Sequence, residues 1–412
     1  MKKENKLCSL LWNHLYLNNE GYALPCCAAY EHIEEMLKQS KSITEVSSIE
    51  ELLKLDLFKD IRQTMLDGKE HTFCSSCYDK EEKGIQSYRQ ESNELFHETY
   101  EKIVTGELNL DSAVSYEYVD LRLGNQCNLA CRMCPPNSSS NLIKDYQALE
   151  SQNFSLDFTK NTSWHKDPNF WQELLSRSHE IKKIYLAGGE PLLINETWDF
   201  LGELIKRDHA KNITIYYSTN LTTLPEKAAK FWPSFKTVQL SLSIDGFGDV
   251  HEYIRHPIAW KKIEANLHKL DKDFLDLNIE SAVVYSTIQA YNFDAIPELV
   301  QYLNQFTNID SYPVISLLTA PNQLSIEALP LDIRKRAIAP LKALLFQAKT
   351  SEYKSEKWKS NFIHEVLNLI SSLSNENFNK DLFEEFKRYT LHFDKTRSQD
   401  IFKRIPELKN YF

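Results

Sequence analysis

The residues with the most reactive side chains in this sequence are its eight cysteines, which all lie in the first third of the 412 residues. In a reducing compartment disulfides are rare and cysteines more often serve metals or redox chemistry. This clustering therefore favours cofactor ligation, with disulfides or inert core thiols as the alternative. The eight positions are Cys8, Cys26, Cys27, Cys74, Cys77, Cys127, Cys131 and Cys134.

Three of these residues, Cys127, Cys131 and Cys134, form a compact CxxxCxxC motif. Three soft thiolates can hold three corners of a [4Fe-4S] cluster and leave the fourth iron open to an external ligand. A structural zinc site normally takes four protein ligands. The motif thus predicts a cluster with one open iron, although zinc knuckles and buried cysteines can show the same spacing.

Short apolar runs alternate with helical patterns around this motif and predict the elements that position it. Such alternation is typical of successive βα units and a parallel sheet, so the predicted fold class is α/β. The apolar interiors of the runs suit strands that helices cover on one face. We predict six strands that suggest a partial (β/α)6 barrel, at residues 118–123, 181–186, 213–218, 238–244, 279–286 and 312–318.

The cysteine motif follows the first predicted strand, and a Gly-Gly-Glu-Pro turn follows the second. In this register the sequence resembles the radical S-adenosylmethionine (radical SAM) superfamily, whose cluster loop follows the first strand of a partial barrel. The resemblance implies that Gly188, Gly189 and Glu190 meet the amino group of the cofactor's methionyl moiety. Glycines let the main chain approach a ligand closely, and a carboxylate pairs with an ammonium group. Taken alone, the turn could be an ordinary strand-terminating loop.

Other strand ends carry polar residues that the same resemblance assigns to S-adenosylmethionine. Asn220 follows the third strand. Ser243 and Asp245 end the fourth and could hydrogen-bond to ribose hydroxyls, while Arg255 could pair with the methionyl carboxylate. Turn chemistry for Asp245 and a surface charge for Arg255 are the alternatives. Met133 stands where the superfamily often has an aromatic residue beside the adenine, and its apolar thioether can substitute.

The N-terminal cysteines resemble the ligands of a twitch or SPASM auxiliary-cluster domain, which commonly follows the barrel but would precede it in this chain. The resemblance implies a second [4Fe-4S] cluster held by Cys8, Cys26, Cys74 and Cys77. Cys27 is left over, and whether it replaces Cys26 stays open. A four-cysteine zinc ribbon is the structural alternative.

The motifs and periodicities divide the chain into three regions. Near the N-terminus, two apolar segments joined by a polar turn within residues 10–25 predict a hairpin. The predicted regions are a small α+β auxiliary iron-sulfur domain at 1–100, the radical SAM partial barrel at 115–320 and a helical extension at 325–412.

The resemblance implies an enzyme that reductively cleaves S-adenosylmethionine to a 5′-deoxyadenosyl radical, which abstracts a substrate hydrogen. Relatives with auxiliary domains often modify ribosomally made peptides, so the first expectation is oxidation, crosslinking or epimerisation of a peptide. Dehydrogenation or other modification of a small molecule, such as an aminocyclitol or sugar, is the alternative. A metal-stabilised interaction protein without activity is a remote third. The expected protein partner is an electron donor such as flavodoxin or ferredoxin, and no catalytic side chain is assigned.

Composition and charge exclude several other classes. The formal net charge of −10 opposes general binding to nucleic acid, which needs a basic surface. No apolar run approaches the roughly 20 residues that span a bilayer, and polar residues interrupt the N-terminal apolar run. We therefore expect no membrane association and a cytoplasmic location.

Overall fold

The computed structural model describes residues 6–150, 162–353 and 355–412. This part of the chain contains a seven-stranded sheet in which the strands follow one another in chain order. The strands are β1 His14–Leu17, β2 Tyr118–Arg122, β3 Lys183–Ala187, β4 Thr214–Thr219, β5 Thr237–Ser243, β6 Ile279–Ile288 and β7 Val314–Leu317.

The described residues also include nineteen α-helices, and none of them combines the length and apolar character needed to cross a bilayer. Those before β5 are α1 Leu10–Asn13, α2 Ile33–Gln39, α3 Ile49–Leu53, α4 Asp56–Leu66, α5 Ser75–Glu82, α6 Tyr88–Leu95, α7 His97–Val104, α8 Ile143–Glu150, α9 Pro168–Ser176, α10 Asn195–Lys206 and α11 Glu226–Phe231. Those after β5 are α12 Asp249–Ile254, α13 Trp260–Lys272, α14 Ile296–Leu303, α15 Leu331–Lys335, α16 Ile338–Thr350, α17 Glu356–Ser374, α18 Lys380–Arg397 and α19 Ile401–Arg404.

The fold class is confirmed, since the structure is mixed α/β with a parallel sheet and a helical C-terminal region. Each of the six predicted strands is present as β2 to β7, with ends shifted by a few residues. The pairs β2–β3, β3–β4, β5–β6 and β6–β7 are all parallel. Local apolar patterning was therefore sufficient to predict these strands.

The N-terminal strand β1 shortens the predicted hairpin and adds a second pairing partner to it. Residues Leu10–Asn13 are helical, and β1 pairs in parallel with β2, which places Leu17 opposite Leu121. The chain then returns as a short antiparallel segment: Leu17 forms a bridge with Ala23, the Asn18 N–H donates to the Tyr22 carbonyl at 3.0 Å, and the Leu24 N–H donates to the Tyr16 carbonyl at 3.2 Å. Leu15 and Leu17 are fully buried, and burial of two leucine side chains contributes about 3 to 6 kcal/mol.

The described chain divides into two compact units. Among the described residues, the first unit contains 6–126, 162–217 and 230–237. The second unit contains 127–150, 218–229, 238–353 and 355–412.

In the first unit, the two faces of the sheet differ in chemistry because side chains alternate along each strand. One face is apolar and fully buried, with Leu15, Val119, Ile184 and Ile215 aligned across β1 to β4. The adjacent row on the other face is polar and aromatic and consists of Tyr16, Asp120, Tyr185 and Tyr216. A polar face is unusual for a parallel sheet, whose faces are normally both apolar.

In the second unit, α18 carries a buried stripe at helical spacing that includes Phe383, Phe386 and Phe393. The helix begins where Asn379 accepts a hydrogen bond from the Leu382 N–H at 3.0 Å. It ends at Ser398, whose φ of 54° is left-handed. Phe393 packs edge-on against Tyr146 of α8, and the polar residues Tyr389 and Asp394 of α18 are also buried.

Candidate active site

The loop after β2 gathers the three thiols of the CxxxCxxC motif within the second unit. Cys131 is buried, whereas Cys127 and Cys134 are half-buried. A hydrogen bond between Cys131 and Cys134 lowers the pKa of Cys131 and raises that of Cys134. Burial and the nearby Cys127 also raise the pKa of Cys134. Cys134 therefore interacts with both other thiols of the loop.

Main-chain hydrogen bonds fix the shape of this loop. The N–H of Ala130 donates to the His256 carbonyl at 2.6 Å, and the N–H of Arg132 donates to the Ile254 carbonyl at 2.9 Å. The N–H of Leu129 points at the Cys127 sulfur, 3.4 Å away. The loop is thus held against the segment that ends α12, and its sulfurs are positioned by backbone contacts.

Asn220 lies beside Cys127, at the end of β4. Its amide nitrogen is 3.8 Å from the Cys127 sulfur and 3.1 Å from the side-chain oxygen of Asn128. Its amide oxygen accepts from the Thr222 N–H at 2.9 Å, and Asn128 donates to the Thr222 hydroxyl at 2.7 Å. Asn128 and Thr222 were not singled out from the sequence, because isolated polar residues in loops give no distinctive pattern.

Asp245 and Arg255 form a buried ion pair next to another cluster thiol. Arg255 Nε donates to Asp245 Oδ2 at 2.7 Å, and its Nη1 is 4.0 Å from the Cys131 sulfur. The second carboxylate oxygen of Asp245 accepts from the Thr287 N–H at 2.8 Å. Burial opposes the charge of Arg255, but Asp245 and Cys131 outweigh it and raise the pKa of Arg255. Arg255 is therefore a buried cation beside the cysteine loop, and the alternative of a surface charge is wrong.

Ser243 and Met133 also belong to the second unit. Ser243 is the last residue of β5, is half-buried and lies opposite Tyr285 of β6. Met133, between two cluster thiols in the sequence, is buried. Their contacts with ribose and adenine remain predictions from the family resemblance.

The Gly-Gly-Glu-Pro turn lies in the first unit, directly after β3. Gly188 has a φ of +113°, and a Cβ there would collide with the backbone nitrogen of Leu123. A Cβ on Gly189 would collide with the carbonyl oxygen of Gln126, the residue that precedes Cys127 in the sequence. Glycine is required because the turn packs directly on the backbone that leads into the cysteine loop.

Glu190 is almost fully buried at the end of this turn. Its N–H donates to the Gln126 carbonyl at 2.9 Å, and its carboxylate accepts from the Leu192 N–H at 3.2 Å. The carboxylate also helps to raise the pKa of Tyr217, whose main cause is burial. A buried carboxylate with a main-chain partner is suited to binding an ammonium group.

Four N-terminal cysteines line one cavity in the first unit. Cys8 precedes α1, Cys26 follows Pro25, and Cys74 and Cys77 lie at the start of α5. Apolar side chains form most of the remaining wall, namely Leu10, Leu11, Ala28, Ala29, Met65 and Phe73. These are the four cysteines that the resemblance to an auxiliary-cluster domain selected.

The chemistry of these four thiols fits a metal centre. Burial raises the pKa of Cys8 to about 12 and also raises that of Cys26 and Cys74, and neighbouring thiols add to the effect. Four thiolates in this cavity would therefore need a compensating positive charge, which bound iron supplies. Among the described residues, no group of three or more His, Cys, Asp and Glu side chains converges on one metal ion. Cluster thiolates each bind a different iron and need not converge.

Cys27 does not line this cavity. It is half-buried, and burial followed by the nearby Asp120 raises its pKa to about 11, with Arg122 and Tyr88 acting in the opposite direction. Its neighbours therefore belong to the polar face of the sheet in the first unit. The cavity is thus lined by Cys26 and not by Cys27. The sequence alone left the choice between these two residues open.

Two family models match this chain. Residues 121–303 match the radical SAM superfamily, and residues 8–78 match the SPASM iron-sulfur cluster-binding domain. The first range contains the CxxxCxxC motif, and the second contains the five N-terminal cysteines. The order of the two domains agrees with the predicted N-terminal auxiliary domain.

Curated relatives include GTP 3′,8-cyclases from two strains of Helicobacter pylori, at 27% and 26% identity over 187 residues. Each match covers 45% of this chain and 51% of the relative, so the chain spans about half the length of the curated relatives it matches. Among solved structures, native anSMEcpe with bound AdoMet matches at 14% identity and a TM-score of 0.39, over 68% of this chain and 97% of that chain. Native anSMEcpe with bound AdoMet and Cp18Cys peptide matches at 16% identity and a TM-score of 0.38, over 56% and 60% of the respective chains.

The two matched domains define the cofactors. A radical SAM domain implies a [4Fe-4S] cluster and S-adenosylmethionine, and a SPASM domain implies an auxiliary iron-sulfur cluster. The expectation of an enzyme is thereby confirmed. The chain carries a radical SAM domain and, on the N-terminal side of that domain, a SPASM iron-sulfur cluster-binding domain.

Proposed function

We propose that this radical SAM enzyme modifies a peptide, by oxidation, crosslinking or epimerisation. The observation that supports this function is the four-thiol cavity of the SPASM domain, present in addition to the three-thiol loop. Relatives with such auxiliary domains often act on ribosomally made peptides, as the sequence resemblance implies. When bound, the barrel cluster and S-adenosylmethionine supply a 5′-deoxyadenosyl radical that removes one hydrogen atom from the substrate.

The residues of this chain hold and orient these groups in the proposal. Cys127, Cys131 and Cys134 bind the barrel cluster, and the buried Arg255 balances the negative charge beside Cys131. Glu190 binds the ammonium group of S-adenosylmethionine through a charge-assisted hydrogen bond. These assignments follow from the residue types and from contacts inside each unit. The partition into an auxiliary domain at 1–100, a barrel at 115–320 and a helical extension at 325–412 belongs to the same proposal.

The polar face of the first unit is the proposed substrate contact. Arg122 Nη2 donates to Asp120 Oδ2 at 3.2 Å, and the guanidinium lies 4.3 Å from the ring centre of Tyr185. Tyr185 in turn stacks on Tyr216 at 4.5 Å. A buried ion pair adds little to stability, because desolvation offsets its attraction, and substrate recognition is the role that we assign to this pair. Arg122 offers donors to peptide carbonyl or carboxylate oxygens, and the tyrosines offer flat apolar surfaces.

The position of Arg122 supports the same role. It is the last residue of β2 and lies opposite Ala187, the residue before Gly188. In parallel α/β sheets, ligands bind outside the carboxyl ends of the strands. Arg122 and the glycine turn therefore share the end of the sheet at which a substrate would meet the cofactor.

A second candidate is modification of a nucleotide or another small molecule. The similarity to GTP 3′,8-cyclases favours it, although it covers about half of those relatives. The Arg122 guanidinium lies 5.6 Å from the ring centre of Tyr16 and 4.3 Å from that of Tyr185, and this arrangement would also suit a planar base and a phosphate. The two candidates differ in the substrate that stimulates radical formation.

The test uses the anaerobically reconstituted full chain with S-adenosylmethionine and a chemical reductant. Formation of 5′-deoxyadenosine and the mass of the substrate are followed with GTP and with short peptides encoded beside the gene. Peptide modification predicts that one such peptide stimulates 5′-deoxyadenosine formation and changes in mass. Conversion of GTP without any change in a peptide would support the second candidate and contradict the first. The chain without reductant is the control, since no radical can form.

A further inference from the structure

The cysteine loop of the second unit is held by the C-terminal helix α18, which lies outside both matched family regions. Arg132, directly after Cys131, is fully buried. Its Nη2 donates to Asp394 Oδ1 at 2.5 Å and to Gln399 Oε1 at 2.9 Å, and its Nε donates to the Tyr253 carbonyl at 2.9 Å. A side chain inside the cluster motif is thus held by an acidic residue of α18 that is 262 positions away.

Two carbonyl groups of the same loop are held by tyrosine hydroxyls. The Tyr389 hydroxyl of α18 donates to the Arg132 carbonyl at 2.5 Å. The Tyr146 hydroxyl of α8 donates to the Cys134 carbonyl at 3.1 Å, and the two hydroxyls are 3.1 Å apart. A buried carbonyl that is left without a donor destabilises the fold. The path of the loop backbone therefore depends on these two helices.

Asp394 is firmly positioned for this contact. Besides Arg132, its Oδ1 accepts from the Tyr253 hydroxyl at 2.8 Å, and its Oδ2 accepts from the Ile401 N–H at 2.7 Å. The Arg132 guanidinium also lies 3.9 Å from the ring centre of Tyr253. These contacts fix one negative and one positive charge next to the cluster loop.

Arg397, at the last position of α18, adds a second buried positive charge. Its side chain is 4% exposed, stacks 4.1 Å from the ring centre of Phe393 and lies 3.6 Å from the Asp145 carboxylate. Burial and repulsion from Arg132 lower its pKa, and Cys131 acts in the opposite direction. The Arg132 guanidinium also lies 5.8 Å from the centre of the Phe393 ring, so Arg397 packs against the same ring as the arginine that follows Cys131 in the cluster motif.

We propose that α18 positions the barrel cluster and sets its reduction potential, with Asp394 and Arg397 acting in opposite directions. The proposal rests on ligation of that cluster by Cys127, Cys131 and Cys134. Net charge and burial around an iron-sulfur cluster tune its potential. The reduced cluster carries one more negative charge, so a nearby anion disfavours reduction and a nearby cation favours it.

The test is a redox titration of the anaerobically reconstituted full chain, monitored by electron paramagnetic resonance. The barrel cluster is identified as the signal that changes when S-adenosylmethionine is added, since only it has an open iron. Asp394→Asn should make its midpoint potential less negative, and Arg397→Gln should make it more negative. Glu384→Gln, which removes an exposed carboxylate from the same helix, should leave it unchanged.

Opposite shifts at equal iron content would not arise from loosened packing alone, which should affect both variants in the same way. Shifts of the same sign, or no shift in either variant, would overturn the proposal. If Asp394→Asn loses the barrel cluster while Glu384→Gln retains it, the positioning role is supported and Arg397→Gln alone decides the electrostatic one. The measurement uses no substrate, so an incorrect peptide assignment does not affect it. If the resonance signal that responds to S-adenosylmethionine persists after Cys127, Cys131 and Cys134 are replaced by alanine, these cysteines do not bind the barrel cluster.

Discussion

At the scale of single residues, Glu190 combines a structural contact with an unusual environment for a charge. Its carboxylate accepts from the Leu192 N–H, yet the side chain is almost fully buried. A cap of a short turn needs only an acceptor oxygen, whereas binding of an ammonium group needs the negative charge. Replacement of the carboxylate by an amide separates these two functions.

We expect Glu190→Gln to retain both clusters, because no proposed iron ligand is lost and the amide oxygen can still accept from Leu192. Binding of S-adenosylmethionine should weaken roughly ten- to a hundredfold, which corresponds to about 1.5 to 3 kcal/mol for a hydrogen bond to a charged group. Cofactor titration of the anaerobic, reconstituted variant measures this change. Glu203→Gln, at an exposed position of α10, is the matched control. Equal affinity at equal cluster content would remove Glu190 from the cofactor site.

The pair of Asp120 and Arg122 permits a test of substrate recognition at the same scale. Replacing Arg122 alone would leave a buried carboxylate unpaired, although burial already raises the pKa of Asp120 to about 6. The double variant Asp120→Asn with Arg122→Gln avoids that penalty. We expect unchanged binding of S-adenosylmethionine and a KM for the substrate raised roughly tenfold or more. Steady-state kinetics with the substrate identified above measures it, and an unchanged KM would place recognition elsewhere.

At the scale of secondary structure elements, Glu365 joins helix α17 to strand β7. Its carboxylate accepts from the Ile315 N–H at 2.8 Å. Burial raises the pKa of Glu365 from 4.5 to about 7, and this hydrogen bond opposes the shift. The folded state therefore binds the Glu365 proton more tightly than the unfolded state. Its contribution to stability decreases as the pH rises from about 4.5 to 7 and is then constant.

We expect Glu365→Gln to raise the thermal unfolding midpoint at pH 8 and to have little effect at pH 5. The amide can still accept from Ile315, while the cost of a buried charge, at most about 3 kcal/mol, is removed. Thermal unfolding of the reconstituted variant and wild type at both pH values checks this difference. Glu356→Gln, an exposed position in the same helix, should show no such pH dependence. A destabilised variant at pH 8 would show that the charge is needed.

At the scale of the whole molecule, the chain contains two separate sets of thiols. The three-thiol loop belongs to the second unit, and the four-thiol cavity belongs to the first. Each set has its own supporting elements, so loss of one need not remove the other.

We expect replacement of Cys127, Cys131 and Cys134 by alanine to remove about half of the iron and all cleavage of S-adenosylmethionine. Replacement of Cys74 and Cys77 should leave the barrel cluster and abolish the auxiliary cluster. Iron and sulfide analysis with measurement of 5′-deoxyadenosine tests both statements. Production of 5′-deoxyadenosine by the triple variant would contradict the ligand assignment. Zinc without a second cluster in the N-terminal site would contradict the auxiliary ligand set.

The sequence by itself determined the features that depend on local spacing. The CxxxCxxC motif, the Gly-Gly-Glu-Pro turn and the N-terminal cysteines were sufficient to predict the superfamily, its cofactors and the auxiliary domain. Six strands were predicted because each apolar run is continuous in the sequence and is buried on at least one face. These predictions hold in the folded protein because residues that are close in the sequence keep their spacing in any fold.

Only the tertiary structure decided which distant segments meet. The hairpin predicted for residues 10–25 is present only as a short antiparallel return at Leu17 and Ala23, and the tertiary structure adds the parallel pairing of β1 with β2, which no local pattern indicates. Cys26 rather than Cys27 lines the thiol cavity because the backbone places adjacent side chains in different directions. The link between Arg132 and Asp394 has no sequence signature, since a buried arginine and its partner can be any distance apart along the chain. Such contacts form only when packing removes both side chains from water, where an unpaired charge would be too costly.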